Sequence, residues 1–322
     1  MASMPPKHFI TVFTFLLCIA AIGVFFGEPE FSQDFFQQRD KSACDCGKCL
    51  SKNDTWFLRR FNESVEVFLS EGSNLSAASF YWWKYLQTEP RGFTTFSETV
   101  KFLFRIFPPN PQVLERTPEQ CRTCAVVGNS VNLKGSGYGR LIDGHDVIIR
   151  INRGKTLGYE ADVGNRTTHR VMYPESSVDL DDTTHLILFP FKLKDLEWLI
   201  RIFTVRHIGA KWSPKDVLFK INGNRDLVSV LNPVFMKYVH ESWLNKKGRY
   251  PSTGFLTLIL ALHVCDEVNV FGYGADKDGN WEHYWEKLKI KSYKTGIHPG
   301  TYEYDAIQKL ASKHKISFYP GR

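Results

Sequence analysis

Several common signatures are missing from this chain. Its 41 Lys and Arg against 34 Asp and Glu leave a net charge of +7 over 322 residues. That excess is nowhere gathered into the basic, aromatic-laced stripe of a nucleic-acid binder, so nucleic acid is set aside as a partner. A mild positive balance fits a pocket for an anionic small molecule equally well. No GxxxxGK[ST] loop occurs, and the glycines of KGSGYG (134–139) follow no apolar strand, so a dinucleotide fingerprint fails its context test. Ser252 in YPSTG lacks the GxSxG elbow, which makes a serine hydrolase improbable. There are no internal repeats and no low-complexity segments. Hydrophobic residues make up 43% of the chain, which rules out a disordered or fibrous protein and supplies a sizeable core.

One long apolar run is present. Residues 9–26, FITVFTFLLCIAAIGVFF, carry no charge. At 1.5 Å per residue they span about 27 Å, the thickness of an early secretory bilayer core. Lys7 and His8 precede the run, and Glu28, Glu30 and Asp34 follow it, which points the N-terminus to the cytoplasm. Ala20, Ala21 and Gly23 leave a cleaved signal peptide as the alternative, but the run outlasts the usual h-region and an uncleaved anchor is preferred. The expected organisation is a cytoplasmic tail over 1–8, a transmembrane signal-anchor over 9–26, a stem over 27–43 and a luminal domain over 44–322.

A lumen also suits the four Asn-x-Ser/Thr acceptors at Asn53, Asn62, Asn74 and Asn165. Outside the anchor lie six cysteines, Cys44, Cys46, Cys49, Cys121, Cys124 and Cys265. CDCGKC and CRTC have metal-like spacings, but an oxidising compartment favours disulfides over zinc and leaves their pairing open.

Beyond the stem, three helical patterns (54–70, 75–87 and 97–107) come first. Apolar runs at 125–130, 146–152, 169–174, 185–191 and 267–274 then alternate with helical patterns at 194–207, 233–248, 253–265 and 303–314. This alternation predicts an α/β fold with a mostly parallel sheet covered on both faces. Ligands of such sheets bind beyond the carboxyl ends of the strands, where Gly128-Asn129-Ser130, Asn152 and Gly272-Tyr273-Gly274 would lie. Ser252, Thr253 and Gly254 open a helix whose free N–H groups suit a phosphate, although capping explains them nearly as well. DLDD (179–182) and DKD (276–278) match a metal-holding Asp-x-Asp, but DLDD precedes its strand and reads as a solvated loop. His283 and His298 lie among aromatic and turn residues, and a loop histidine with a pKa near 6.5 is a candidate proton acceptor.

Taken in order, these residues resemble the animal sialyltransferase family. CAVVGNS through Thr168 is similar to the large sialylmotif, and YPSTGFLTLILALHVCDEVNVFGYG (250–274) to the small one. HYWE (283–286) resembles motif III, and His298 with Glu303 the very small motif. CDCGKC, YWWKYLQ, RYPSTG and NWEHYWE resemble the β-galactoside α-2,3 subgroup acting on Galβ1-3GalNAc.

The resemblance implies a Rossmann-like, GT-A-like variant domain that transfers sialic acid from CMP-sialic acid to the galactose 3-hydroxyl with inversion. It implies no metal and no cofactor. His298 becomes the general base and His283 the group that stabilises the departing phosphate. Asn129, Ser130, Asn152, Ser252, Thr253, Gly254 and Gly274 become the donor site, and Gln87, Tyr250 and Trp212 the acceptor site. It further implies Cys124–Cys265, Cys44–Cys49 and Cys46–Cys121 disulfides. A Golgi type II membrane protein acting on galactose-terminated glycoprotein or glycolipid glycans follows, with stem cleavage and a homodimer compatible with it. Trp212 stands where the family pattern has a tyrosine, and Glu282 where the subgroup often has a second histidine.

Overall fold

Seven strands form a single parallel sheet in the computed structural model, which describes residues 50, 54–110, 121–204, 217–286 and 294–322. The anchor, tail and stem lie outside these residues, as do Cys44, Cys46, Cys49, Asn53 and Trp212. Among the described residues no helix is long and apolar enough to cross a membrane. Asn62, Asn74 and Asn165 are all exposed.

The strands are β1 (Thr123–Val127), β2 (Val147–Ile151), β3 (His169–Met172), β4 (His185–Leu188), β5 (Val228–Val230), β6 (Glu267–Phe271) and β7 (Ser317–Tyr319). Their order across the sheet is β5-β4-β3-β2-β1-β6-β7. Every pairing is parallel, with Val127 beside Phe271 where β1 and β6 end. The chain thus builds outward from β1 to β5, then returns to place β6 on the other side of β1. That reversal between β1 and β6 is the switch point at which open α/β sheets leave a crevice.

Side-chain alternation along β1 explains why its run reads as continuously apolar. Cys124 and Val126 join the larger core, while Ala125 and Val127 join a smaller one with Leu133, Ile142, Val163 and Phe271 on the opposite face. With both faces covered, no position along the strand can be polar without a buried partner. Helix Thr253–Val264 packs against β1, β2, β3 and β6, and every residue from Phe255 to Leu262 is buried. A helix apolar on all sides is what an interior position requires. Cys265, just past its end, is disulfide-bonded to Cys124 at the start of β1.

The N-terminal patterns fold differently from their periodicity. Residues 54–70 form only the short helix Thr55–Leu58, after which Phe68 bridges Leu231 as extended chain beside the β5 edge. Helix Ala77–Lys84 stops before Gln87, and helix Phe93–Leu103 begins four residues before the expected start at 97. Pattern 233–248 is helical over Pro233–Tyr238 and continues as a π-turn, Val239–Trp243. Strands β5 and β7, three residues each, were too short to leave a pattern.

Candidate active site

A cavity of about 300 Å³ opens at the carboxyl ends of β1, β2 and β6. One wall is made of backbone. After β1, Gly128 N donates to Phe271 O (2.8 Å) and Ser130 N to Gly272 O (3.0 Å). A Cβ on Gly128 would lie 2.4 Å from Gly272 O and 2.8 Å from the Tyr273 ring. Only glycine lets the two strand ends approach this closely, and Gly272 itself takes the left-handed φ of 65° needed to turn away.

The expected donor residues gather here, with unequal freedom. Ser130 is buried, and its hydroxyl donates to Gly274 O (2.8 Å) while accepting from Asn132 N (3.2 Å). Its side chain is committed to tying the β1 and β6 turns together. Asn129 Nδ2 donates to Ile151 O (3.2 Å), which leaves the amide oxygen for the cleft. Asn152 has the reverse polarity: Oδ1 accepts from Ser176 Oγ (2.9 Å), so Nδ2 is the end left over. Asn152 is also left-handed, φ 54°, a conformation asparagine tolerates better than most residues. Beneath it, buried Arg170 donates through Nη1 to the carbonyls of Asn152 (3.1 Å) and Gly154 (2.8 Å). Burial pulls the Arg170 pKa down to about 10, so the guanidinium stays charged at neutral pH.

The opposite wall is the N-terminus of helix Thr253–Val264. Ser252 Oγ accepts from Phe255 N (3.1 Å) as its N-cap, while Thr253 and Gly254 face the cavity. Both readings of Ser252 therefore meet in one residue, because a capped helix start still offers first-turn N–H groups to an anion. Ser252 N donates to Glu303 Oε1 (2.7 Å), locking this helix to helix Gly300–Ser312. Burial drives the Glu303 carboxyl up to about 7, against the pull of that hydrogen bond.

His298 lines the same cavity on the loop just before helix Gly300–Ser312. Its Nδ1 is 3.1 Å from Tyr250 O, and the two rings meet edge-on at 4.9 Å. A carbonyl only accepts, so Nδ1 carries the proton and Nε2 keeps a lone pair. Burial lowers the His298 pKa below 6.5, with the bond to Tyr250 O opposing. His283 reaches the cavity from a segment running alongside the β1 turn, where Val131 N donates to Glu282 O (2.9 Å) and Tyr284 N to Asn129 O (3.1 Å). Its ring stacks on Trp285 (4.7 Å) and pairs through Nδ1 with Glu286 Oε2 (3.0 Å).

Gln87 and Tyr250 come together, with Gln87 Nε2 3.5 Å from Tyr250 Oη, but neither lines the cavity. Trp83, by contrast, is fully buried and donates to Pro190 O (2.7 Å), so it belongs to the core. Three buried or half-buried charged residues contact these side chains and backbone turns without having stood out in the sequence: Arg170, Glu175 and Lys192. Lys192 Nζ contacts Gln87 Oε1 (2.9 Å) and Glu175 Oε1 (3.0 Å). Lys192 follows HLILFPF, so the rule that pointed to Gly128 and Gly272 applied to it also.

Of the acidic loops, Asp179 accepts from Asn222 N (2.7 Å), and Asp181 and Asp276 each bind N–H groups of their own turns. Among the described residues no group of three or more His, Cys, Asp or Glu is placed to hold a metal ion.

A strand-end cleft with an anion-ready helix start and a histidine of fixed tautomer fits a glycosyltransferase. Residues 68–315 match glycosyltransferase family 29 (sialyltransferase), and the chain belongs to that family. It is 45% identical over 288 residues to the Gallus gallus CMP-N-acetylneuraminate-beta-galactosamide-alpha-2,3-sialyltransferase 1, covering 88% of this chain and 83% of that protein. The Homo sapiens protein of the same name is 42% identical over 91% of this chain and 87% of its own. The fold matches a crystal structure of a mammalian sialyltransferase in complex with Gal-beta-1-3GalNAc-ortho-nitrophenol. The TM-score is 0.77 and the identity 41%, over 87% of this chain and all of that one.

Proposed function

We propose that this protein transfers sialic acid from CMP-sialic acid to the 3-hydroxyl of terminal galactose, preferring Galβ1-3GalNAc. The observation that carries the reading is the His298 geometry: Nδ1 is held by Tyr250 O, and the Nε2 lone pair belongs to a ring lining the same cavity as the 252–254 helix start. The relatives' names, both beta-galactosamide alpha-2,3-sialyltransferases, support the linkage.

In this mechanism Nε2 of His298 takes the proton from the galactose 3-hydroxyl as its oxygen attacks the sialic acid anomeric carbon from the face opposite CMP. One displacement inverts that centre. CMP leaves with added negative charge, which first-turn N–H groups at Thr253 and Gly254, together with His283, are placed to meet. Asn129, Asn152 and the 272–274 turn hold the nucleotide, with Ser130 shaping the wall by fixing Gly274. Gln87 and Tyr250 hold the galactose. Trp212, outside the described residues, is assigned to the acceptor site by the family pattern alone. No step requires a metal or a cofactor. Residence in the Golgi as a type II protein, with residues 9–26 as anchor, completes the proposal.

The test gives the secreted chain CMP-sialic acid in excess EDTA and offers Galβ1-3GalNAc and Galβ1-4GlcNAc separately, reading the linkage with a linkage-selective sialidase. An α2-3 product on Galβ1-3GalNAc is expected. Preference for the other disaccharide would overturn the acceptor assignment. Folded protein that binds CMP but transfers to neither would overturn the catalytic reading in favour of a nucleotide-binding protein.

A further inference from the structure

Lys192 donates hydrogen bonds to Gln87 and Glu175 and forms an ion pair with Asp195. Nζ lies 2.9 Å from Gln87 Oε1, 3.0 Å from Glu175 Oε1 and 3.0 Å from Asp195 Oδ1. Asp195 is itself fixed, because its Oδ2 accepts from the backbone N–H of Phe191 (2.7 Å) and Lys192 (3.2 Å). Burial works against the ammonium, but Asp195 and Glu175 outweigh it and its pKa stands above the usual lysine value. The position of this charge is thus referenced to the end of β4 and the start of helix Leu193–Thr204.

A glutamine amide has two orientations of nearly equal shape, and its neighbours decide between them. An ammonium donates only, so a flipped amide would set NH₂ against NH₃⁺. Lys192 therefore turns Gln87 Oε1 toward itself and Nε2 toward Tyr250 Oη. Receiving from Gln87, the Tyr250 hydroxyl keeps its own hydrogen for another acceptor. Tyr250 also holds His298 through its carbonyl.

We propose that Lys192 is a positioning residue for the acceptor sugar: it sets the polarity of Gln87 and, through it, the direction of the Tyr250 hydroxyl. The wall beside His298 then presents hydrogen-bond donors to the lone pairs of a neutral galactose. This rests on the acceptor reading given above.

The experiment uses the full chain and measures KM for Galβ1-3GalNAc and for CMP-sialic acid separately, with CMP affinity by calorimetry. Lys192→Met and Gln87→Met should each raise the acceptor KM about tenfold, the cost of a lost hydrogen bond, and leave the donor KM and CMP affinity within about twofold. The double variant should be no worse than the weaker single one, because both act on one contact. Lys192→Arg, which keeps a donor-only cation, should recover most of the loss. Additive effects, equal shifts in both KM values, or an unchanged acceptor KM would overturn the proposal. If Lys192→Met fails to fold because Asp195 loses its partner, Gln87→Glu decides: it keeps the ion pair but removes the donor to Tyr250. An unchanged acceptor KM there would overturn the proposal. A wild-type chain that transfers to no galactoside would instead overturn the functional reading, and this proposal with it.

Discussion

The cavity and the side-chain cluster joined to it through His298 are stiffened by different means. The cavity wall, proposed to hold the donor, is mostly backbone, strand ends touching at Gly128 and Gly272 and a capped helix start at Ser252. The cluster proposed to hold the acceptor is a relay of side chains, Asp195 to Lys192 to Gln87 to Tyr250, drawn from three separate stretches of chain. A backbone site tolerates side-chain change but not an added Cβ, whereas a side-chain relay can be retuned one residue at a time. Under the proposed function, the nucleotide would meet the backbone wall and the acceptor sugar the side-chain relay. His298 sits at the seam, lining the donor cavity yet held by a residue of the acceptor relay.

The sharpest way to probe that seam is His298→Ala. Loss of a general base should lower kcat about 10²–10⁴-fold, while calorimetry finds CMP affinity unchanged. Loss of CMP binding as well would place His298 on the donor side alone. Removing the Cys124–Cys265 bond by double serine substitution should cost about 2–5 kcal/mol of stability, because it closes a long loop. Thermal melts check this, and the donor KM should rise more than the acceptor KM, since the bond ties β1 to the chain entering β6. Gly128→Ala should destabilise by about 1–3 kcal/mol through overpacking against Gly272 O, again raising the donor KM first. An equal rise in both KM values would erase the distinction between the two sides. The smallest effect concerns pH. His298 acts as a base only when neutral, and burial lowers its pKa below 6.5. Protonation therefore begins at lower pH than for an exposed histidine, and the acid limb of kcat/KM should fall below pH 6.5. An acid limb at or above 6.5 in the pH–rate profile would contradict the buried geometry.

The residues of the donor side were legible because their signal is local. An apolar run that ends in Gly-Asn-Ser or Gly-Tyr-Gly states both a strand and its ligand-facing end, and Ser252-Thr253-Gly254 states a helix start. What periodicity misjudged was the N-terminal region. Residues 61–70 carry a helical spacing, but a free edge at β5 offers backbone partners, and Leu69 N pairs with Val230 O (2.8 Å) instead. Ser130 shows a subtler gap: its place in the motif was plain, while the commitment of its hydroxyl to Gly274 O depends on residue 274 arriving from 144 positions away.

By itself, the sequence determined the α/β class, the strand ends that line the cleft, the candidate base and the family, because each rests on contiguous or closely spaced residues. Tertiary structure alone decided the sheet order, the tautomer of His298, the polarity of Gln87 and the role of Lys192. Those depend on which carbonyl, carboxylate or ammonium a distant segment delivers, and hydrogen-bond direction is a property of the pair.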